Sequence, residues 1–260
     1  MMSEEIVSEL MRAHVYRLAS TGQRVDGRRL DQPRPVSVNR SFVKTAEGSA
    51  RVKLGNTDVL IGIKMSVGEP YPDTPNTGVL STSVELIPMA SPTFEAGPPR
   101  PDAIELARVV DRGVRESKMV NMERLCITPK EKVWILFIDI HVLDFDGNLF
   151  DACSYGAVAA LASTIAPAKA QGLGDDFPLP VEHWPVSVTT AKIKDLLLVD
   201  PSLDEERMAD ARLTVTTDEN GDIRAMQKGL SGSFTYEEVK RIIETAQRVG
   251  RDIRPLLQSS

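Results

Sequence analysis

Two stretches of this chain run as strict two-residue alternations that double back at a polar turn, and each leads on to an amphipathic helix. Ala50, Val52 and Leu54 alternate with Arg51 and Lys53, Gly55-Asn56-Thr57 supplies a turn, and Val59, Ile61, Ile63 and Met65 resume the alternation. Ala211, Leu213 and Val215 alternate with Arg212, Thr214 and Thr216, Glu219-Asn220-Gly221-Asp222 turns, and Ile223 to Lys228 returns. A period of two sends successive side chains to opposite faces, so each hairpin needs an apolar cover on one face. The order of strands then helix, given twice, predicts an α+β chain of two pseudo-equivalent halves around one core, with no flexible linker between them.

Size permits such a core: 260 residues, 42% of them hydrophobic. The two cysteines, Cys126 and Cys153, form no C-x-x-C, so neither a disulfide scaffold nor a cysteine zinc site is supported, and a reducing cytosol fits. Met1 to Arg12 carries Glu4, Glu5 and Glu9 and no apolar h-region, so it does not read as a signal peptide, and a cytoplasmic location is expected. Apolar runs such as Val133 to Ile138 are far too short to span a bilayer, so no membrane role is expected. The net charge is -6, opposite in sign to that of a freestanding nucleic-acid binder. Any contact with RNA must use a local basic stripe or a basic partner.

Further elements follow from pattern. Ser3 can cap a first helix whose apolar face is Ile6, Val7, Leu10, Met11, His14 and Leu18. Gly22 to Arg29 is a connector, Gly68 to Gly78 and Ala90 to Pro101 are Pro-rich loops, and Val79 to Met89 is a strand. A helix from Asp102 to Lys118 presents Ile104, Ala107, Val110 and Val114 inward and Arg108, Arg112 and Arg115 outward. Val133 to Leu143 is an apolar strand, and Asp146-Gly147-Asn148 turns into a helix dense in small residues that Asp151 would cap. Val186 to Ile193 and Leu196 to Val199 are strands. Thr235 to Glu238 has capping-box spacing and opens a last helix with Val239, Ile242, Ile243, Ala246 and Val249 inside.

At this point the residues resemble a known family. Val25-Asp26-Gly27-Arg28, Ala46-Glu47-Gly48-Ser49-Ala50 and Leu54 to Leu60 resemble the opening signature of RNase PH-type exoribonucleases. Ile104 to Val110, Leu143 to Ala160 and Leu198 to Asp210 resemble the later motifs of that family, in family order. The resemblance implies the RNase PH fold, ribosomal protein S5 domain 2-like. It divides the chain into an N-terminal helix and connector (1–24), a first half (25–165) and a second half (166–260). Such enzymes degrade RNA from its 3′ end with inorganic phosphate as the attacking group. In archaeal exosomes, catalytic and non-catalytic RNase PH-like chains alternate in a hexameric ring.

Phosphorolysis brings two anions together, so its site needs cationic side chains and backbone N–H donors at a helix start. Leu149 falls where the family places a hydroxyl residue and Phe150 where it places an arginine, while Asp151 adds a negative charge. Aligned on Ile104-Glu105, Pro101 and Asp102 stand where active chains carry an arginine pair, and Arg100 is out of register. The phosphate site is therefore expected to be degenerate. Asp200 and Glu206 keep the six-residue spacing of the family's acidic pair. They read as a solvated acidic loop with Asp204 and Glu205, in preference to a leftover metal site.

Arg108, Arg112 and Arg115 could pair with Glu105, Asp111 and Glu116 on an exposed helix face. The resemblance places this helix beside a catalytic neighbour and favours RNA contact or interface pairing. His14, His141 and His183 show no ligand spacing, Cys153 reads as buried, and Trp134 and Trp184 read as core or interface. No catalytic residue, cofactor or metal is expected. The expected partners are the catalytic RNase PH-like subunit in a trimer of heterodimers, RNA-binding cap subunits, and single-stranded RNA. The alternatives are a self-sufficient phosphorolytic nuclease and a homo-oligomeric RNA-binding protein of the same fold.

Overall fold

The computed structural model describes residues 9–259, with side chains from Arg12 onward. Its elements in chain order are α1 (Glu9–Ser20), β1 (Val36–Arg40), β2 (Gly48–Leu54), β3 (Thr57–Gly68), β4 (Val79–Leu86), α2 (Pro101–Glu116), β5 (Cys126–Thr128), β6 (Lys132–Asp144), α3 (Leu149–Ala162), β7 (Ile165–Ala166), β8 (Phe177–Pro178), β9 (Val186–Ile193), β10 (Leu196–Val199), α4 (Leu203–Met208), β11 (Ala211–Thr217), β12 (Ile223–Gly229) and α5 (Tyr236–Ser259).

The first hairpin grows into a sheet of order β1-β2-β3-β6-β4, with β5 on β6. Only β4 runs parallel to its neighbour β6; the other pairs are antiparallel. The second hairpin forms the antiparallel sheet β10-β9-β11-β12. Helix α3 lies between the two, packed on β2 and β3 on one side and β9 on the other. Every residue from Leu149 to Leu161 is buried, which a helix exposed on one side could not achieve. Its small residues allow backbones on both flanks to approach. Helix α2 packs on β4 and β12, and α5 on β9 and β11. The chain is therefore an α+β fold with helices held between two sheets.

Four expectations are corrected. The Ser3 cap, Ile6 and Val7 lie outside the described residues, as do the side chains of Leu10 and Met11. In the described part of α1, His14 is exposed, and Val15 and Ala19 turn inward. Val15 packs in a small cluster with Ile193, Leu198 and Met208, so the β9–β10 hairpin decides the buried face. The strand from Val79 ends at Leu86. Along α2 the buried set is Ala103, Leu106, Val109, Val110, Gly113 and Val114, while Ile104 is 49% exposed and Ala107 half-buried. Asp151 is not the cap of α3: Asn148, in the left-handed conformation, accepts from the Asp151 backbone N–H. The capping box at α5 forms as expected, with Thr235 Oγ1 accepting from Glu238 N and the Glu238 carboxylate accepting from Thr235 N.

Candidate functional site

Two places bring cations to a helix: the head of α3 and the outer face of α2.

At the head of α3, β6 ends at Asp144 and the chain turns through Gly147 (φ 87°) and Asn148 (φ 54°). A side chain at Gly147 would place its Cβ 2.5 Å from the Leu203 backbone N, so only glycine lets α4 close on this turn. Leu149 and Phe150 are each 7% exposed and belong to the main core. Neither side chain offers a donor to an anion.

The charged groups here are matched within the chain. Asp200 is 1% exposed. Its carboxylate accepts from Arg34 N (2.7 Å), Arg34 Nε (2.9 Å), Arg34 Nη2 (2.8 Å), Arg28 Nη1 (3.0 Å) and Asn148 Nδ2 (2.7 Å). Burial opposes its ionisation, but the Arg34 bonds and charge, with Asn148, outweigh burial and hold the carboxyl below its ordinary range. Arg34 spends its remaining donors on the carbonyls of Asp146 (2.6 Å) and Gly147 (3.2 Å). Beside it, buried Glu205 accepts from Arg24 Nε at 2.8 Å. The expectation of a solvated acidic loop is thus wrong: Asp200 and Glu205 are interior counter-ions to arginines of the connector.

Asp151 is buried as well. It accepts from Thr189 N (2.9 Å), Thr189 Oγ1 (2.7 Å) and Asn148 Nδ2 (2.7 Å), which ties α3 to β9. Burial pushes its carboxyl up to about 7, only partly offset by these bonds. Glu206 is half-buried, and its protein surroundings likewise push it up to about 7 against the pull of Arg212, Asn148 and Arg34. Asp200 and Glu206 thus both meet Asn148, Asp200 at its side-chain amide and Glu206 at its backbone. Among the described residues, no group of three or more His, Cys, Asp or Glu side chains could hold a metal ion.

The outer face of α2 differs. Pro101 stands in its first turn with Asp102, and Arg100 is ion-paired with Glu95 out on the loop. A groove of about 420 Å³ runs between α2 and β4, lined by Thr82, Ser83, Arg108, Asp111, Arg112 and Arg115. The three arginines do line one groove, and of the partners expected from spacing only Asp111 is used, by Arg115. Arg115 pairs with Asp111 (3.0 Å) and donates to the Leu80 carbonyl (3.2 Å). Arg112 Nη1 donates to Gln227 Oε1 on β12 at 2.9 Å. Glu105 is taken by Arg212 of β11 at 2.7 Å. Arg108 is exposed and, among the described residues, makes no hydrogen bond or ion pair.

The remaining candidates fall elsewhere. His141 pairs with Glu85 and His183 with Glu219, on different sheets. Cys153 is fully buried and its thiol is pushed up by burial. Trp134 is core, and Trp184 sits half-buried beneath Arg40. Sequence reasoning missed Arg24, Arg34, Asn148 and Arg212. For Arg34 the only local signal was its place between Pro33 and Pro35.

Comparison with known proteins places this geometry. The 3′ exoribonuclease family (RNase PH) matches by its domain 1 over residues 32–167 and by its domain 2 over residues 183–249. Exosome complex component Rrp42 of Methanocella arvoryzae is 50% identical over 257 residues, covering 99% of each chain. That of Thermoplasma volcanium is 52% identical, covering 97% of this chain and 96% of its own. A chain of the Archaeoglobus fulgidus exosome, solved with RNA bound to the active site, superposes with a TM-score of 0.92 at 46% identity, covering 95% of this chain and 97% of that one. Rice Rrp46, at 20% identity and a TM-score of 0.70, covers 91% of this chain and 99% of its own and shows the shared fold alone. The chain belongs to the RNase PH-type 3′ exoribonuclease family, among the RNase PH-like components of the archaeal exosome kind.

Proposed function

We propose that this chain is the non-catalytic RNase PH-like member of an archaeal-type exosome ring in the cytoplasm. It pairs with a catalytic RNase PH-like subunit, three such pairs close the ring, and RNA-binding cap subunits sit on it. The chain shapes the neighbouring active site and guides single-stranded RNA along α2 during 3′-to-5′ degradation. The division into an N-terminal connector and two halves at 24/25 and 165/166 belongs to the same proposal.

One observation carries this reading. Where a phosphorolytic enzyme grips its attacking anion, this chain has buried Leu149 and Phe150, and the nearest cations are bound by carboxylates of the same chain. Arg34 cannot serve a phosphate without abandoning Asp200, at a cost of several kcal/mol for a buried carboxylate, and the Arg28 charge is already matched by Asp26 and Asp200. Arg100 offers no substitute, since it faces Glu95 on the surface. Arg108, by contrast, has its donors open to a phosphodiester. The acidic total charge also fits an RNA path that is shared with a partner.

The test is phosphorolysis of 3′-tailed RNA with phosphate and Mg²⁺, by the purified chain alone and after assembly with a catalytic RNase PH-like subunit. Activity only in the assembly is expected. Nucleoside diphosphate release by the lone chain would establish the self-sufficient nuclease instead. Native mass measurement of the chain alone should show no closed hexamer; a homo-hexameric ring would favour the homo-oligomeric RNA-binding protein.

A further inference from the structure

We propose that Arg212 is a positioning residue for the RNA-guiding face of α2. This rests on the reading that α2 meets RNA through Arg108.

Four elements converge on the Arg212 guanidinium. From β11 it lies over the Phe150 ring of α3, 3.9 Å from the ring centre. Its Nη2 donates to Glu105 Oε1 of α2 at 2.7 Å. It crosses the backbone of Gly229 on β12, its register partner in the sheet. A Cβ at Gly229 would stand 2.6 Å from Arg212 Nη2 and 3.0 Å from its Cζ, so the guanidinium fits because that position is glycine. The side chain is only 14% exposed. A planar cation stacked on an aromatic ring and ion-paired in a half-buried setting is held in one place far better than a lysine would be.

What that fixes is the roll of α2 about its own axis. Glu105 and Arg112 are seven residues apart, two helical turns, so they share one face. Both are tied to the second sheet, Glu105 to Arg212 and Arg112 to Gln227. Arg108 lies between them on the same face and is the one of the three without a tie. The two flanking contacts fix the helix face that carries it while leaving its guanidinium open. Phe150 gains a role in this arrangement: the ring that replaces a cationic ligand in the closed pocket seats the guanidinium that aims α2.

The experiment uses the assembled complex of this chain with a catalytic RNase PH-like subunit, degrading 3′-tailed RNA under saturating phosphate. R212A should raise KM for RNA by about fourfold, no more than R108A does, and leave kcat nearly unchanged, since positioning and not chemistry is lost. R212K, which keeps the charge opposite Glu105, should recover part of that loss. In the R108A background R212A should add nothing, because Arg212 acts through Arg108. If R212A proves unable to assemble by native mass measurement, E105A removes the acceptor, breaks the same tie and should raise KM in the same way.

An unchanged KM in R212A, or in E105A where that is the variant used, overturns the proposal. So does an R212A effect that is as large with Arg108 absent as with it present. If R108A itself leaves KM for RNA unchanged, the reading of α2 as an RNA guide fails and Arg212 has nothing to position. An R108A effect with a silent R212A removes the positioning role alone.

Discussion

At the head of α3, the guanidinium groups face carboxylates of their own chain; on α2, Arg108 faces solvent. Both regions bring basic side chains to a helix, but the sequence reads the first as a degenerate anion site and the second as an RNA-contacting stripe. The difference is where the countercharge comes from. Arg28 and Arg34 meet Asp200 at 3.0 and 2.8 Å inside the fold, so their charge is spent on holding the chain together. A cation informs about ligands only after its own-chain partners have been subtracted. By that measure Arg108 is available, Arg112 and Arg115 are partly committed, and Arg24, Arg28 and Arg34 are not available.

The comparison breaks most visibly at Asp200. Asp200→Ala leaves two guanidinium groups without their buried counter-ion, with only the more exposed Asp26 and Asp146 beside them, and should cost about 3–5 kcal/mol in chemical denaturation. A cost below about 1 kcal/mol would mean that these arginines are free to serve a ligand after all.

A smaller and pH-dependent effect is expected at Asp151. Its folded carboxyl is pushed up to about 7 from an ordinary 3.8, so the folded state holds a proton that the unfolded state gives up. As pH rises from about 4 to about 7 the unfolded state therefore gains relative to the folded one, and stability falls. Asn at this position can keep the bonds to Thr189 N and Asn148 and donate to Thr189 Oγ1, as the protonated acid would. Asp151→Asn should hence gain on the wild type across that range by roughly 2–4 kcal/mol. The contributions of Asp200 and other carboxylates with lowered values run in the opposite direction but cancel in this difference. A constant difference between the two proteins from pH 4 to 8 would show that Asp151 is ionised throughout.

On α2 the effects shift from stability to binding. Arg108→Ala should change folding stability by less than about 0.5 kcal/mol. It should weaken RNA binding by the assembled ring by about 1 kcal/mol and reduce the slope of log affinity against log salt by about one. An unaltered salt slope would show that Arg108 meets no phosphate. Arg115→Ala should be the mildest change, a few tenths of a kcal/mol in stability, because it breaks an i,i+4 pair that is largely exposed. If it equals Arg108→Ala in RNA binding, the partner subtraction is too strict.

The sheets were legible because alternation is a local property. Ala50-Val52-Leu54 against Arg51-Lys53 needs no knowledge of the rest of the chain, and the same holds for the hairpin at 211–228. The face of α2 was harder. Ile104 and Leu106 are both apolar, and only the position of β4 and β12 decides that Leu106 goes in and Ile104 stays out. The cap of α3 turned on a backbone state, Asn148 in the left-handed region, that the residue permits and does not dictate. That residues 149 and 150 carry apolar side chains was visible from residue type. The fate of the acidic segment was not, because its cations lie more than 160 residues earlier in the chain. Arg212 was hidden for the same reason, with partners drawn from α2, α3 and β12.

The ionic cluster around Asp200 also orders events during synthesis. A ribosome makes Arg24, Arg28 and Arg34 long before it makes Asp200, so the first sheet can pair its strands while these arginines are still hydrated. The connector can dock, and the turn at Gly147 can be closed over, only once the nascent chain has passed residue 200. A truncated product lacking the second half would carry these arginines without the carboxylate of Asp200.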